Sequence, residues 1–180
     1  MPRRAQPLLD ALAGEIHMEA TSLLRKQHQE VNALFRQFEK TESASQRRKL
    51  FVQIADNLAA HATIEEKLFY PRAFQGENGV QDLLREAVEE HLIVKRVISD
   101  LLEMEVEDEQ FEAKVSVLKE LVLHHVKEEQ DNIFPKVKKN FSRADLNALG
   151  DELEEMFDQL ITTEPRQNVP GETARAAQLH

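Results

Sequence analysis

A histidine followed four residues later by a glutamate occurs twice, each time on a stretch that closes with proline. His61-Ala-Thr-Ile-Glu65 runs to Pro71, and His125-Val-Lys-Glu-Glu129 runs to Pro135. In a helix, positions i and i+4 share one face about 6 Å apart along the axis. An imidazole nitrogen and a carboxylate oxygen so placed can grip one cation. The second copy lies 125 − 61 = 64 residues after the first. Each copy has one further histidine upstream, His28 at 61 − 28 = 33 residues and His91 at 125 − 91 = 34. Four histidines and two glutamates thus repeat as a set.

The elements that must position this set are helices. Apolar residues recur at spacings of three and four through four long segments, as they do in helices that pack in a bundle. The stripes run Leu24, His28, Val31, Phe35, Phe38; then Phe51, Ile54, Leu58, His61, Glu65, Leu68; then Leu84, Ala87, His91, Val94, Ile98, Leu101; then Val115, Leu118, Val122, His125, Glu129, Asn132. Every candidate ligand falls on a core-facing stripe. Breaks at about 41–46, 75–79 and 106–110 are short enough to favour antiparallel neighbours. The expected fold class is therefore all-α, an up-down-up-down antiparallel four-helix bundle over 15–140. A fifth, accessory helix over 141–162 is predicted to start with Ser142 as its cap, and Leu146, Leu149, Leu153, Met156, Phe157 and Leu160 give it an apolar face. Residues 1–14 and 163–180 lack sustained periodicity and are predicted to be mobile. Pro71 and Pro135 are predicted to kink or end the last turns of the second and fourth helices.

Composition excludes several function classes. The 180 residues carry 23 basic against 33 acidic side chains, net −10, which argues against nucleic acid as a partner. Absence of cysteine excludes disulfides, thiolate ligands and thiol catalysis. No apolar run approaches a membrane span and no export signal opens the chain, so the expectation is a soluble cytoplasmic protein with no membrane partner.

A single His-x-x-x-Glu is weak evidence, since many such pairs are exposed helix contacts. Placement strengthens it, because a buried glutamate without compensation costs several kcal/mol. Protonated glutamates or charged histidines could form a metal-free polar network, but that gives no reason for four histidines to converge at matching depths. Nitrogen and carboxylate donors without sulfur suit iron, manganese or zinc. Six ligands could saturate one octahedral ion. Four histidines from four helices with two carboxylates able to bridge fit two ions better. The competing pair His124 and Glu128 lies off the stripe. Glu66, Glu90 and Glu128 read as solvated faces, with one of them as an extra ligand near Ala87 the alternative, and Tyr70 as packing, or as a hydrogen-bond or electron donor near the site.

The ordered set His28, His61-x-x-x-Glu65 with Pro71, His91 and His125-x-x-x-Glu129 with Pro135 resembles the hemerythrin-like, or HHE cation-binding, family over about residues 20–140. The phrases Lys26-Gln-His28-Gln-Glu-Val-Asn-Ala-Leu-Phe35 and Glu66-Lys-Leu-Phe-Tyr-Pro71 resemble it as well. The resemblance implies a non-heme di-iron cofactor, two iron ions with an oxo or hydroxo bridge. It places His28 and His61 on one iron, His91 and His125 on the other, and Glu65 and Glu129 between them. Oxygen carriers of this family have a further histidine one turn before the position of His91, where this chain has Ala87. The resemblance therefore implies binding of, or reaction with, oxygen, peroxide or nitric oxide in sensing, storage or detoxification. An enzyme for peroxide decomposition or iron–sulfur cluster repair, and a structural bundle that is metal-free or holds zinc, stand as alternatives. Imidazole must be neutral to bind metal, so affinity is expected to fall as pH drops through about 6 to 5.

Overall fold

Three of the five long helices begin where a side chain answers an unpaired first-turn amide. In a computed structural model of the chain, which describes residues 18–76 and 79–180, Glu19 accepts from the Thr21 amide at 3.1 Å and opens α1, Ala20–Lys40. Ser43 accepts from the Gln46 amide to open α2, Ala44–Ile64. Two five-residue π-helical turns follow: Glu65–Phe69 leads from α2 into α3, Tyr70–Gln75, and Glu129–Ile133 leads from α5, Phe111–Glu128, into α6, Phe134–Asn140. Between them lies α4, Gln81–Glu103. Ser142 caps α7, Arg143–Ile161, accepting from the Asp145 amide at 3.1 Å. The fold is an antiparallel four-helix bundle with an additional helix after it. α1 packs on α2, α4 on α5, and α7 lies across α1 and α2.

The prolines do not end their helices. Proline lacks an amide hydrogen, and its ring collides with the carbonyl four residues back. A π turn removes the conflict, because the hydrogen bonds reach one residue further and the turn widens. Tyr70, just before Pro71, sends its amide to the Glu65 carbonyl, and Phe134, just before Pro135, sends its amide to the Glu129 carbonyl. Both helices then continue, as α3 and α6. The widened turns begin at the two glutamates.

Packing forms two apolar clusters. One contains Val31, Phe35, Phe51, Ile54, Leu58, Val94, Ile98, Phe111, Leu118 and Val122. The other contains Leu24, Ile64, Phe69, Leu84, Val88, Ile133, Phe134 and the α7 residues Leu146, Leu149 and Leu153. Burial of such a side chain contributes about 1.5–3 kcal/mol. Each histidine of the repeated set lies in sequence between a member of one cluster and a member of the other, so the set forms a polar layer between two apolar ones.

The segment 1–14 lies outside the described residues. The segment 163–180, expected to be mobile, instead contains a 3-10 helix, Pro165–Glu172, with Pro165 and Val169 buried. A short 3-10 turn anchored by isolated side chains has no apolar periodicity to read, which is why the sequence did not disclose it.

Candidate metal centre

The polar layer is almost sealed. His28, His61, His91 and His125 are 7%, 6%, 4% and 5% exposed, and Glu65 and Glu129 are 0% exposed. α1, α2, α4 and α5 each deliver one histidine, and the two π turns deliver the glutamates at their first positions. All four imidazoles present Nε2 to the interior. The pair His28 and His61 stands 2.9 Å apart at these atoms, and His91 and His125 stand 3.0 Å apart. Two imidazole nitrogens so close share either a proton or a cation.

The carboxylates reach into both pairs. Glu65 places Oε1 3.1 Å from His61 Nε2 and Oε2 3.3 Å from His91 Nε2, so one carboxylate spans the two histidine pairs. Glu129 Oε2 is 3.2 Å from His28 Nε2 and 3.7 Å from His125 Nε2. Despite these short contacts, Glu65 Oε1 and Glu129 Oε2 are buried without a hydrogen-bond partner. Buried polar atoms are ordinarily satisfied, and leaving one unpaired costs about 1–3 kcal/mol, more when charged. Two groups of donor atoms, each within 4.8 Å of one another, can hold a cation: His28, His61, Glu65 and Glu129, and Glu65, His91 and His125. Glu65 belongs to both. The orphaned oxygens and the all-nitrogen-and-oxygen donor set fit a pair of hard or borderline cations.

Each imidazole is held from behind at Nδ1. His61 Nδ1 donates to Gln27 Oε1 at 2.7 Å, His91 Nδ1 to Glu66 Oε1 at 3.0 Å, and His125 Nδ1 to Glu90 Oε2 at 2.7 Å. The Gln130 amide lies 3.1 Å from His28 Nδ1, and metal binding through Nε2 requires its oxygen turned to that nitrogen. These four partners are sequence neighbours of the cluster: Gln27 precedes His28, Glu66 follows Glu65, Glu90 precedes His91 and Gln130 follows Glu129. Each supports a histidine on another helix. Sequence alone reads Glu66 and Glu90 as solvated faces; an acceptor adjoining His28, Glu65, His91 and Glu129 is the signal that could have found them. Such partners fix the tautomer and strengthen the imidazole as a donor.

The pseudo-two-fold repeat is broken behind the ligands, at Phe134 against Tyr70 and at the outer partners. Phe134, before Pro135, stacks on His28 with the rings 2° from parallel and their centroids 6.1 Å apart. Its counterpart Tyr70, before Pro71, stacks on His91 at 5.5 Å and adds a hydroxyl. That hydroxyl donates to Glu129 Oε1 at 2.8 Å and lies 3.4 Å from His91 Nε2, His125 Nε2 and Glu65 Oε2. The His28–His61 half is therefore backed by Phe134 and two amides, the His91–His125 half by Tyr70 and two carboxylates. Ala87, 3% exposed, leaves a cavity of about 10 Å³ beside Glu90, His125 and Glu129, close to the volume of one water. His124, the alternative register, is an exposed side chain 3.3 Å from Glu90 Oε1. His180 contributes only its carbonyl, to Gln75, and His17 lies outside the described residues.

Charge in the metal-free layer follows from these contacts. Burial raises the Glu65 carboxyl, but His61 and His91 beside it hold it well below the usual carboxylate range. Burial lowers His28 and keeps it neutral, ready to bind. For His91 burial also acts downward, yet hydrogen bonds to Glu65 and Glu66 carry it up to about 9. Burial, together with Glu129 and Glu65, pushes the Tyr70 phenol up and keeps it protonated.

Residues 19–137 match the family described as Hemerythrin HHE cation binding domain. The chain belongs to that family. Among solved structures, a hemerythrin HHE cation-binding domain-containing protein from Mycobacterium kansasii superposes with a TM-score of 0.70 at 26% identity, over 81% of this chain and 89% of that one. A curated relative named DNA nickase, from Nostoc sp. (strain PCC 7120 / SAG 25.82 / UTEX 2576), is 30% identical over 127 residues, 69% of this chain. This chain spans only 35% of that relative's length. As an HHE domain the chain is a metal-binding bundle with a histidine and glutamate cluster. Among the described residues, no helix is long and apolar enough to cross a membrane.

Proposed function

We propose that the cluster binds two iron ions joined by an oxo or hydroxo bridge, with His28 and His61 on one and His91 and His125 on the other. Glu65 and Glu129 lie between the two. The observation that carries this reading is the pair of orphaned oxygens, Glu65 Oε1 and Glu129 Oε2, buried against four inward-facing imidazole nitrogens.

Iron bound here supplies open coordination positions and a one-electron couple at each ion. The chain supplies the rest. Val31, Leu58, Val94 and Val122 join the four histidines around a cavity of about 30 Å³, room for one small uncharged molecule. That size favours oxygen, peroxide or nitric oxide as the ligand, in sensing, storage or detoxification. Tyr70 holds a proton 3.4 Å from His91 and His125 Nε2, which favours peroxide decomposition as a second, enzymatic reading.

We read the chain as binding no nucleic acid, on its net charge of −10, and propose separately that it is cytoplasmic. The activity in the name of the nickase relative is not extended to it. Anaerobic ferrous-loaded protein is the material for the test. Its absorption should change on adding oxygen, hydrogen peroxide or nitric oxide, and no change with any of the three contradicts the small-ligand reading. Oxygen evolved from peroxide, lost in Glu65→Ala and His125→Ala, supports the enzymatic one.

A further inference from the structure

Beyond α7 the chain returns across the bundle. Glu164, in the left-handed region at φ 52°, turns it. Arg166 then binds Asp56 of α2 twice, through its amide at 3.1 Å and its guanidinium at 2.6 Å. Val169 enters the first apolar cluster, and Arg96 of α4 donates to the Thr173 carbonyl at 3.1 Å.

Between these anchors Glu172 meets a lysine in an unusual place. Lys95, on the core side of α4, is 6% exposed. Lysine is almost never so buried unless paired. Its Nζ lies 2.9 Å from Glu172 Oε2 and donates to both oxygens of Glu66, at 3.0 and 2.8 Å. Glu66 Oε1 in turn accepts from His91 Nδ1 at 3.0 Å. An unbroken chain of charged contacts thus runs from the C-terminal segment to an imidazole of the metal layer. The other three histidines have a different support: Gln27 and Gln130 are neutral, and Glu90 faces the exposed His124.

We propose that residues 163–180 are an outer support of the metal centre, and that Lys95 and Glu172 are positioning residues for His91. The inference rests on the reading of His91 as a metal ligand. Lys95 spreads the Glu66 charge over two hydrogen bonds and pins the carboxylate in one orientation; Glu172 balances the buried ammonium. Without Lys95, Glu66 swings into the adjoining cavity and His91 Nδ1 loses its acceptor. That cavity, about 430 Å³, lies between the end of the segment and the bundle and is lined by Thr63, Glu66, Lys95, Glu172 and Arg175.

The test measures ferrous iron affinity by chelator competition, and the near-ultraviolet band of the ferric-loaded protein. Lys95→Met should weaken one of the two metal sites by about 10-fold, the lower end for loss of an outer partner, and shift the band. Glu172→Gln should act on the same site in the same direction by a smaller factor. Lys95→Arg should restore both readouts. A purely structural role would lower the melting temperature without moving the band. If Lys95→Met does not fold, Glu172→Gln and Lys95→Arg carry the test. Wild-type protein that loads two irons, with wild-type affinity and band in folded Lys95→Met and Glu172→Gln, overturns this inference alone. Wild-type protein that loads none overturns it together with the proposed function.

Discussion

The Tyr70 hydroxyl donates to Glu129 Oε1 across 2.8 Å, tying the end of one π turn to the start of the other. Both groups are buried, and the second Glu129 oxygen already lacks a partner. A hydrogen bond to a charged group contributes about 1.5–3 kcal/mol. Tyr70→Phe should therefore destabilise the metal-free protein by about that amount in urea unfolding. An unchanged midpoint would show that the phenol is packing only.

On the proposed ligand set, a metal that binds here displaces a proton from His91. Its folded pKa of about 9 lies above the unfolded value near 6.5, so the charged imidazole stabilises the metal-free protein fully below 6.5. That contribution is lost as pH rises through 9. Metal affinity should rise between pH 7 and 9 while metal-free stability falls, a window higher than the pH 6 to 5 expected from an unperturbed imidazole. Calorimetric titration in buffers of different ionisation enthalpy should record proton release at pH 7; identical heats in all buffers would contradict the assignment.

Glu90 holds His125 by a 2.7 Å hydrogen bond from Nδ1, and its carboxyl lies below the ordinary range, since His125 and His124 outweigh the opposing effect of burial. Glu90→Gln keeps an acceptor but removes the charge, whereas Glu90→Leu removes both. Metal affinity should fall by about 10- to 100-fold in Glu90→Leu and by less in Glu90→Gln. Chelator competition gives the order, and wild-type affinity in both variants would exclude Glu90 as a support.

The α7 helix docks so closely that Gly150 is needed. A Cβ there would overlap the carbonyl oxygen of Met18, a backbone atom that cannot rotate away. The clash outweighs the better helix propensity of alanine, so Gly150→Ala should destabilise by about 1–3 kcal/mol. Thermal unfolding should show it, and an unchanged or raised midpoint would mean that α7 does not sit on the start of α1 as described.

Much of this was legible because it is periodic. His28, His61, His91 and His125 share stripes with Leu24, Leu58, Val94 and Val122, and burial acts on whole stripes, so the layer could be read without contacts. The Ser142 cap was legible for a similar reason, being local chemistry at a helix start. The π turns were not, because Pro71 and Pro135 signal only that an ordinary turn must fail, and whether the helix ends or widens depends on what packs beyond. Glu66 and Lys95 are polar residues at helical spacings that serve an exposed face equally well. Only the return of Glu172 and Val169 over α2 and α4, a tertiary event, buries them.

The central claim is that Glu65 and Glu129 join two histidine pairs into one two-ion centre. Iron content per folded chain after anaerobic loading tests it most directly, with wild type beside a Glu65→Ala and Glu129→Ala double variant. Two irons per wild-type chain, and loss of both in the double variant, are expected. Folded wild-type protein that holds none or only one at saturation, or a double variant that still holds two, would contradict it.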